Sequence, residues 1–160
     1  MIKDVQIGDA GKKGQGVFAL KNFKKGTFVF RSLRGKIVHK KDSPKLTMDD
    51  RMHLNEIDYN TWEIMRSPGR FMNHSCDPNT IQKGLSYIAI KNIKAGEEVT
   101  GEYRINAFDK NRWRCYCGSK NCKKWLRSDF FDIDSKLQKK YLPFAPRFIQ
   151  EEYKKRNLKS

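Results

Sequence analysis

Arg70-Phe71-Met72-Asn73-His74-Ser75-Cys76-Asp77-Pro78-Asn79 is the stretch on which the rest of this chain turns. It holds one cysteine. The other three lie together downstream, in Cys115-Tyr116-Cys117-Gly118-Ser119-Lys120-Asn121-Cys122. A structural zinc site takes four thiolates at tetrahedral corners, and close spacing lets one loop supply several of them. The C-x-C-x4-C triplet offers three ligands from one knuckle, with Gly118 and Asn121 easing the turn. Cys76 is then the only candidate for the fourth. A metal held this way ties the C-terminal third of the chain to the Asn73-His74 stretch. Two other readings of the cysteines stay open on spacing: a pair of disulfides, or buried free thiols. Cys115 and Cys117 are hard to pair separately, which weighs against the first.

The 160 residues make one domain. A chain of this size buries roughly 70% of its unfolded surface, so zinc is expected to fix one lobe instead of driving folding. Lys and Arg number 34 against 18 Asp and Glu, a net charge of +16. Such a surplus points to anionic neighbours such as nucleic acid, or simply to a lysine-rich soluble protein. No apolar run nears the ~18 residues that a membrane span needs. Met1-Ile2-Lys3-Asp4 leads straight into a strand-like segment, so no secretory leader is expected. The expected compartment is therefore a reducing cell interior (cytoplasm, nucleoid or nucleus), where thiolate zinc is at home.

Short strands dominate the pattern. They are expected at 2–7, 17–20, 27–32, 35–38, 60–64, 80–83, 85–90 and 99–103. Gly8 to Gly16 is a glycine-rich turn, Lys40–Pro44 a polar loop, and 104–112 a polar connector. Thr47-Met48-Asp49-Asp50 resembles a capping box and predicts a helix over 48–57. One short helical turn is expected at Phe71–His74. Ser135 is the expected cap of a helix over 136–142, ended by Pro143. Pro146 suits the first turn of another over 146–157, with Phe148, Ile149 and Tyr153 on its apolar side. No regular strand–helix alternation signals a parallel sheet, so pattern alone gives a β-rich α+β domain.

Arg70–Asn79 resembles the first signature of SET-domain protein lysine methyltransferases. Gly96-Glu97-Glu98-Val99-Thr100-Gly101-Glu102-Tyr103 resembles the second, Cys115–Cys122 the post-SET zinc motif, and Gly14-Gln15-Gly16 the N-terminal G-x-G. All four stand in the family's order. The resemblance implies several small curved sheets with a knot-like C-terminal segment, a zinc-binding post-SET loop and a C-terminal helical tail. It divides the chain into a SET domain over 1–107 with a variable insert at about 40–66, a post-SET segment over 108–127 and a helical extension over 128–160.

The same resemblance implies S-adenosylmethionine as cosubstrate and one structural zinc held by Cys76, Cys115, Cys117 and Cys122. Tyr103 is the implied catalytic tyrosine. Gly14, Gln15, Gly16, Arg70, Asn73, His74, Tyr103 and Trp125 are the implied cofactor contacts, with His74 acting through its backbone. Zinc ligation by His74 is a minor alternative. Gly101, Tyr59 and Leu126 are expected along the substrate channel, although core packing is the commoner fate of a residue such as Tyr59. The position two before the catalytic tyrosine is often Phe or Tyr in the family. Gly101 leaves space there for a multiply methylated amine, or for Tyr87, Trp62 or Phe108 to fill.

The substrate implied is a lysine in a histone or another basic chromosomal or nucleic-acid-associated protein. Asp77, Glu97, Glu98 and Glu102 would offset the domain's own charge, or a nucleic-acid-bound target would exploit it. The enzyme is expected to be a monomer or weak dimer, away from membranes. The competing reading is a basic zinc module that binds nucleic acid or protein, with a vestigial methyltransferase site.

Overall fold

The computed structural model describes residues 3–158, so Ile2 of the first expected strand lies outside it. The strands are β1 (Val5–Asp9), β2 (Gln15–Ala19), β3 (Phe28–Arg31), β4 (Lys36–His39), β5 (Leu54–Asp58), β6 (Thr61–Ile64), β7 (Asn73–His74), β8 (Thr80–Lys83), β9 (Ser86–Ala89), β10 (Glu98–Gly101), β11 (Arg112–Arg114) and β12 (Trp125–Arg127). The helices are α1 (Met48–Met52), α2 (Ser135–Tyr141) and α3 (Arg147–Asn157). They fall into two compact units, each assembled from separated stretches of chain.

The first unit comprises the residues up to Leu33, Arg66–Glu102 and Trp113–Leu126. β1 and β2 form an antiparallel hairpin from Val5 opposite Ala19 to Asp9 opposite Gln15. β10 adds antiparallel to β2, and β7 adds parallel to β10. A second sheet runs β3-β9-β8. Alternation along the strands directs Val5, Val17, Ala19, Tyr87, Ala89 and Val99 into one core with Phe23, Met72 and Ile93, and the adjacent Val29 and Phe30 join it where the β3–β9 register shifts between Phe28 and Phe30. Phe30 stacks on Tyr87 with ring centroids 4.3 Å apart. β11 and β12 form a two-stranded ribbon on either side of the cysteine knuckle.

The second unit comprises Arg34–Met65, Tyr103–Arg112 and the residues from Arg127 on. Its sheet runs β4-β6-β5, antiparallel throughout, over a small core of Val38, Trp62 and Ile64 with Leu46 and Leu54 against it. Tyr59 meets Phe148 and Phe108 edge to face, and its hydroxyl lies 3.4 Å from both the Phe148 carbonyl and a Glu152 carboxylate oxygen. Arg156 of α3 lies 3.7 Å over the Phe131 ring.

Several elements depart from the sequence reading. Lys40–Lys45 is a 3-10 helix where a polar loop is expected. The Thr47 cap is present, accepting the Asp50 amide at 3.1 Å, but α1 stops at Met52. It buries no residue, and a single exposed turn gains little. From Leu54 the chain pairs with β6 instead. Gly69–Phe71 forms a 3-10 turn, and Asn73–His74 is extended, not helical. The strand expected over 99–103 ends at Gly101, and Tyr103–Asn106 forms a 3-10 turn that takes in the start of the polar connector. The carboxylate of Asp134, not Ser135, caps α2 by accepting from the Lys136 and Leu137 amides. α3 starts one residue after Pro146 and buries Phe148 and Ile149.

Glu56 on β5 accepts the Phe108 amide at 2.6 Å. Burial still pushes its carboxyl up to about 7. A carboxyl that holds its proton more tightly folded than unfolded stabilises the fold below about pH 4.5, and loses that stabilisation as pH rises to about 7. Wild-type stability should therefore fall by about 1–3 kcal/mol more than that of Glu56→Gln between pH 4.5 and 8. Urea titrations at both pH values measure the difference, and equal falls would contradict it.

Candidate active site and metal centre

A two-residue parallel pairing organises the site. Asn73 stands opposite Thr100 and His74 opposite Gly101, and the Ser75 amide continues the ladder to the Gly101 carbonyl at 2.8 Å. Asn79 stitches the same strand from the other half of the signature. Its Nδ2 donates to the Glu98 carbonyl and its Oδ1 accepts the Thr100 amide, both at 2.8 Å. The Thr80 hydroxyl donates to the Thr100 carbonyl at 2.8 Å. One side-chain amide thus serves the polar backbone of β10 in place of a neighbouring strand.

The glycine turn comes to the same place. Asn73 Nδ2 donates to the Gln15 carbonyl at 2.9 Å and to Glu98 Oε1 at 2.8 Å. Lys13 closes an ion pair with the other Glu98 oxygen. A side chain at Gly16 would come within 2.8 Å of Glu98 Oε1 and 3.0 Å of the Ala10 methyl. Gly14 sits at φ +76°, with open space where a Cβ would project. Gly14, Gln15, Gly16, Asn73, Glu98 and Lys13 therefore form one cluster. Glu98 and Lys13 are absent from the sequence expectation as site residues. A charged pair within salt-bridge reach of the turn is visible only once β10 and β2 are in register.

All four cysteine sulfurs lie within 4.8 Å of one another. A tetrahedral zinc with Zn–S bonds of about 2.3 Å sets its sulfurs about 3.8 Å apart, and Cys76 and Cys115 stand at 3.9 Å. The cysteines are free thiols, not disulfides, and the cluster fits one zinc. The Cys115 amide donates to the Lys124 carbonyl at 2.7 Å, closing the knuckle. Burial pushes the Cys76 thiol up to about 11 and Cys115 further. Burial also opposes ionisation of Cys117, yet donors from the Cys76 amide and Ser119 draw it down to about 6. A metal would replace the protons on the others.

His74 is buried at 5% exposure. Its Nδ1 lies 3.4 Å from Glu102 Oε1, its Nε2 3.4 Å from Cys76 Sγ, and its ring meets Trp113 edge to face at 4.9 Å. Beside Gly101, a Cβ would fall 2.6 Å from the Met72 terminal methyl. Met72, rather than Tyr87, Trp62 or Phe108, is the side chain against that glycine. Arg70 is half-buried in the turn before β7, Leu126 is fully buried, and Trp125 is 57% exposed at the start of β12. In the second unit, Tyr103 is 46% exposed and opens the Tyr103–Asn106 turn, while Tyr59 packs among Phe108 and Phe148.

The acids expected to offset the positive charge are otherwise engaged. Asp77 pairs with Lys91 at 2.5 Å, Glu97 accepts the Lys94 amide at 3.0 Å, Glu98 pairs with Lys13, and Glu102 is buried against His74.

Small curved sheets, a glycine turn beside an Asn-His strand and a four-thiol knuckle define a SET-type domain. The SET domain family model matches residues 14–104, more than half of the chain, and the protein belongs to that family. It is 29% identical over 139 residues to human histone-lysine N-methyltransferase SETD2, covering 77% of this chain and 5% of that protein. It is 28% identical over 142 residues to the variant-silencing SET domain-containing protein of Plasmodium falciparum, covering 76% and 6%. A probable histone-lysine N-methyltransferase of Caenorhabditis briggsae, set-23, is 29% identical over 148 residues, covering 78% and 61%. The chain thus spans less than two thirds of the length of these relatives. The methyltransferase domain of human SETMAR superposes with a TM-score of 0.62 at 26% identity, covering 78% of this chain and 58% of that one. Arabidopsis thaliana SUVH6, solved in complex with S-adenosylmethionine, shares the fold with a TM-score of 0.64 at 22% identity, covering 77% and 33%.

The purified chain should carry one zinc, measured by mass spectrometry under native conditions. Cys76→Ser should lower zinc retention by at least tenfold, because no other described cysteine can replace the lost corner. Retention equal to wild type would exclude Cys76 as a ligand. Gly101→Ala should cost less than about 1 kcal/mol, since only a flexible methyl must move, whereas Met72→Ala should cost about 2–5 kcal/mol through the cavity it leaves. Thermal melts compare the two, and the reverse order would refute the assignment of Met72 as filler.

Proposed function

We propose that this domain is an S-adenosylmethionine-dependent protein lysine N-methyltransferase. The observation that carries the proposal is the convergence of Gly14-Gln15-Gly16, Asn73 and Glu98 on one exposed turn, within a domain of the SET family. The donor set suits the cofactor. An exposed backbone turn, a side-chain amide and a Lys13–Glu98 pair match the zwitterionic amino-acid end of S-adenosylmethionine. When bound, the cofactor supplies an electrophilic methyl on a sulfonium.

The chain's residues then bind, orient and exclude water. Asn73 and the Gly14–Gly16 backbone hold the methionine end, with Arg70 toward its carboxylate and the His74 backbone toward the adenine. Trp125, exposed at the end of the zinc knuckle, closes over the base, and Leu126 walls the passage. Gly101, with Met72 beside it, borders the lysine channel, and Tyr59 lies toward the peptide. The incoming lysine is mostly ammonium at neutral pH, so an apolar passage and a neighbouring cation must favour its neutral form. The Tyr103 hydroxyl orients that amine in line with the methyl, an alignment worth up to ~7–11 kcal/mol in favourable cases. Zinc on Cys76, Cys115, Cys117 and Cys122 keeps the knuckle in place and takes no part in the transfer. The domain divides as the resemblance implies, into SET, post-SET and helical segments.

The substrate we infer is a lysine in a histone or another chromosomal protein, within the nucleus. Histone-lysine methyltransferase is the activity that the names of SETD2 and set-23 carry. The surplus of cations, with Asp77, Glu97, Glu98 and Glu102 all engaged, favours a target already bound to nucleic acid over a free basic peptide.

Incubation with methyl-labelled S-adenosylmethionine and either free histones or nucleosomes tests the reading. Label should enter lysine, more on nucleosomes than on free histones, and Tyr103→Phe should lower kcat by ~10²-fold or more. Cofactor binding without transfer to any protein would favour a binding module with a vestigial site. Full activity in Tyr103→Phe would remove that residue from the chemistry.

A further inference from the structure

The metal knuckle is a concentrated negative charge. Four thiolates on one Zn2+ leave a net charge of −2, and Cys115 is only 4% exposed. Buried charge of this kind needs hydrogen-bond donors around it. The Cys76 amide lies 3.5 Å from Cys117 Sγ, and the Ser119 hydroxyl 3.3 Å from the same sulfur. Both serve Cys117. Cys76 is met by a backbone donor from Lys123 and, at 3.4 Å, by the side-chain donor His74 Nε2.

His74 is held for that contact from three sides. Its backbone is fixed opposite Gly101 in the β7–β10 pair. Its Nδ1 faces Glu102 at 3.4 Å, where the two side chains are 3% and 2% exposed. Its ring edge is set by Trp113 at an interplanar angle of 86°. The ring is not part of the ligand cluster, which consists of the four sulfurs.

We propose that His74 is a positioning residue of the metal centre, an imidazolium whose Nε2–H donates to the Cys76 thiolate while its Nδ1–H donates to the Glu102 carboxylate, which fixes the ring. Such a bond withdraws charge from the sulfur and holds Cys76 in the coordination geometry. It also joins the metal to the residue immediately before Tyr103, so that zinc loading and the end of the second signature are linked through one imidazole. This rests on the four cysteines taking a metal.

Cobalt(II) in place of zinc reports on the sulfur directly. The wild-type chain loaded with cobalt should show sulfur-to-cobalt charge-transfer bands of a tetrathiolate site. In His74→Phe the band should move to lower energy, because an unbonded thiolate is a stronger donor, and zinc should bind about 10–100-fold more weakly to a competing chelator's measure. His74→Gln, which keeps an N–H, should recover part of the shift, and Trp113→Phe, which keeps an aromatic ring against His74, should leave the band in place. A band unmoved in His74→Phe, or moved as far by Trp113→Phe, would overturn the assignment of His74 alone. Absence of thiolate bands in the wild type would overturn the metal reading and this one with it. Should His74→Phe fail to fold, wild-type protein loaded with 113Cd answers the question by NMR. Scalar coupling between the His74 Nε2 proton and cadmium across the sulfur supports the bond, and its absence overturns it.

Discussion

The site depends on a parallel pairing only two residues long, in which Asn73 and His74 lie against Thr100 and Gly101. Alone, so short a ladder is worth little, since two strands without further support are marginal in water. It persists because each flank is secured. Asn79 and Thr80 bond the backbone of β10, Asn73 reaches the glycine turn, and Cys76 stands among the other three sulfurs. Two signatures distant in sequence thereby share one strand pair, and Asn73 ties the glycine turn to it.

That arrangement separates what positions from what reacts. The buried groups of the first unit, His74, Glu102, Met72 and Thr80, are spent on one another and on backbone. The exposed Gly14–Gln15 backbone and Trp125 are among the groups we assign to the cofactor. The proposed methyl transfer would need little from the protein beyond alignment and a dry passage, for which a scaffold of small sheets with one four-thiol staple would be sufficient. Packing of Gly101 against Met72 fits the same division: a flexible thioether adapts to its neighbours better than a ring does.

Much of the fold was legible because strand alternation and glycine turns are local signals. The pairs β8–β9 and β1–β2 stand close to where alternation puts them. The three-cysteine knuckle was legible from spacing, since C-x-C-x4-C puts three thiols on one loop, while the gathering of Cys76 with them is seen in the structure. Other features depend on partners far along the chain. The stretch after Met52 carries a helix cap, but Leu54 and Glu56 pair with β6, and tertiary pairing outweighs a helix with no buried face. The Asn73–His74 strand has no period of its own and is extended only because β10 is there. Glu98 and Lys13 read as ordinary surface charges until the register places them beside Asn73. The part played by Met72 beside Gly101 could not be seen in sequence, because any of several large side chains satisfies the same gap.

X-ray absorption at the zinc edge tests the central claim most directly, that a sulfur from the Asn-His strand completes the downstream knuckle. The account predicts a single shell of four sulfurs at about 2.3 Å. A shell of three sulfurs with one nitrogen or oxygen near 2.0 Å would mean that Cys76 stands outside the metal, and the staple on which the site is built would be absent.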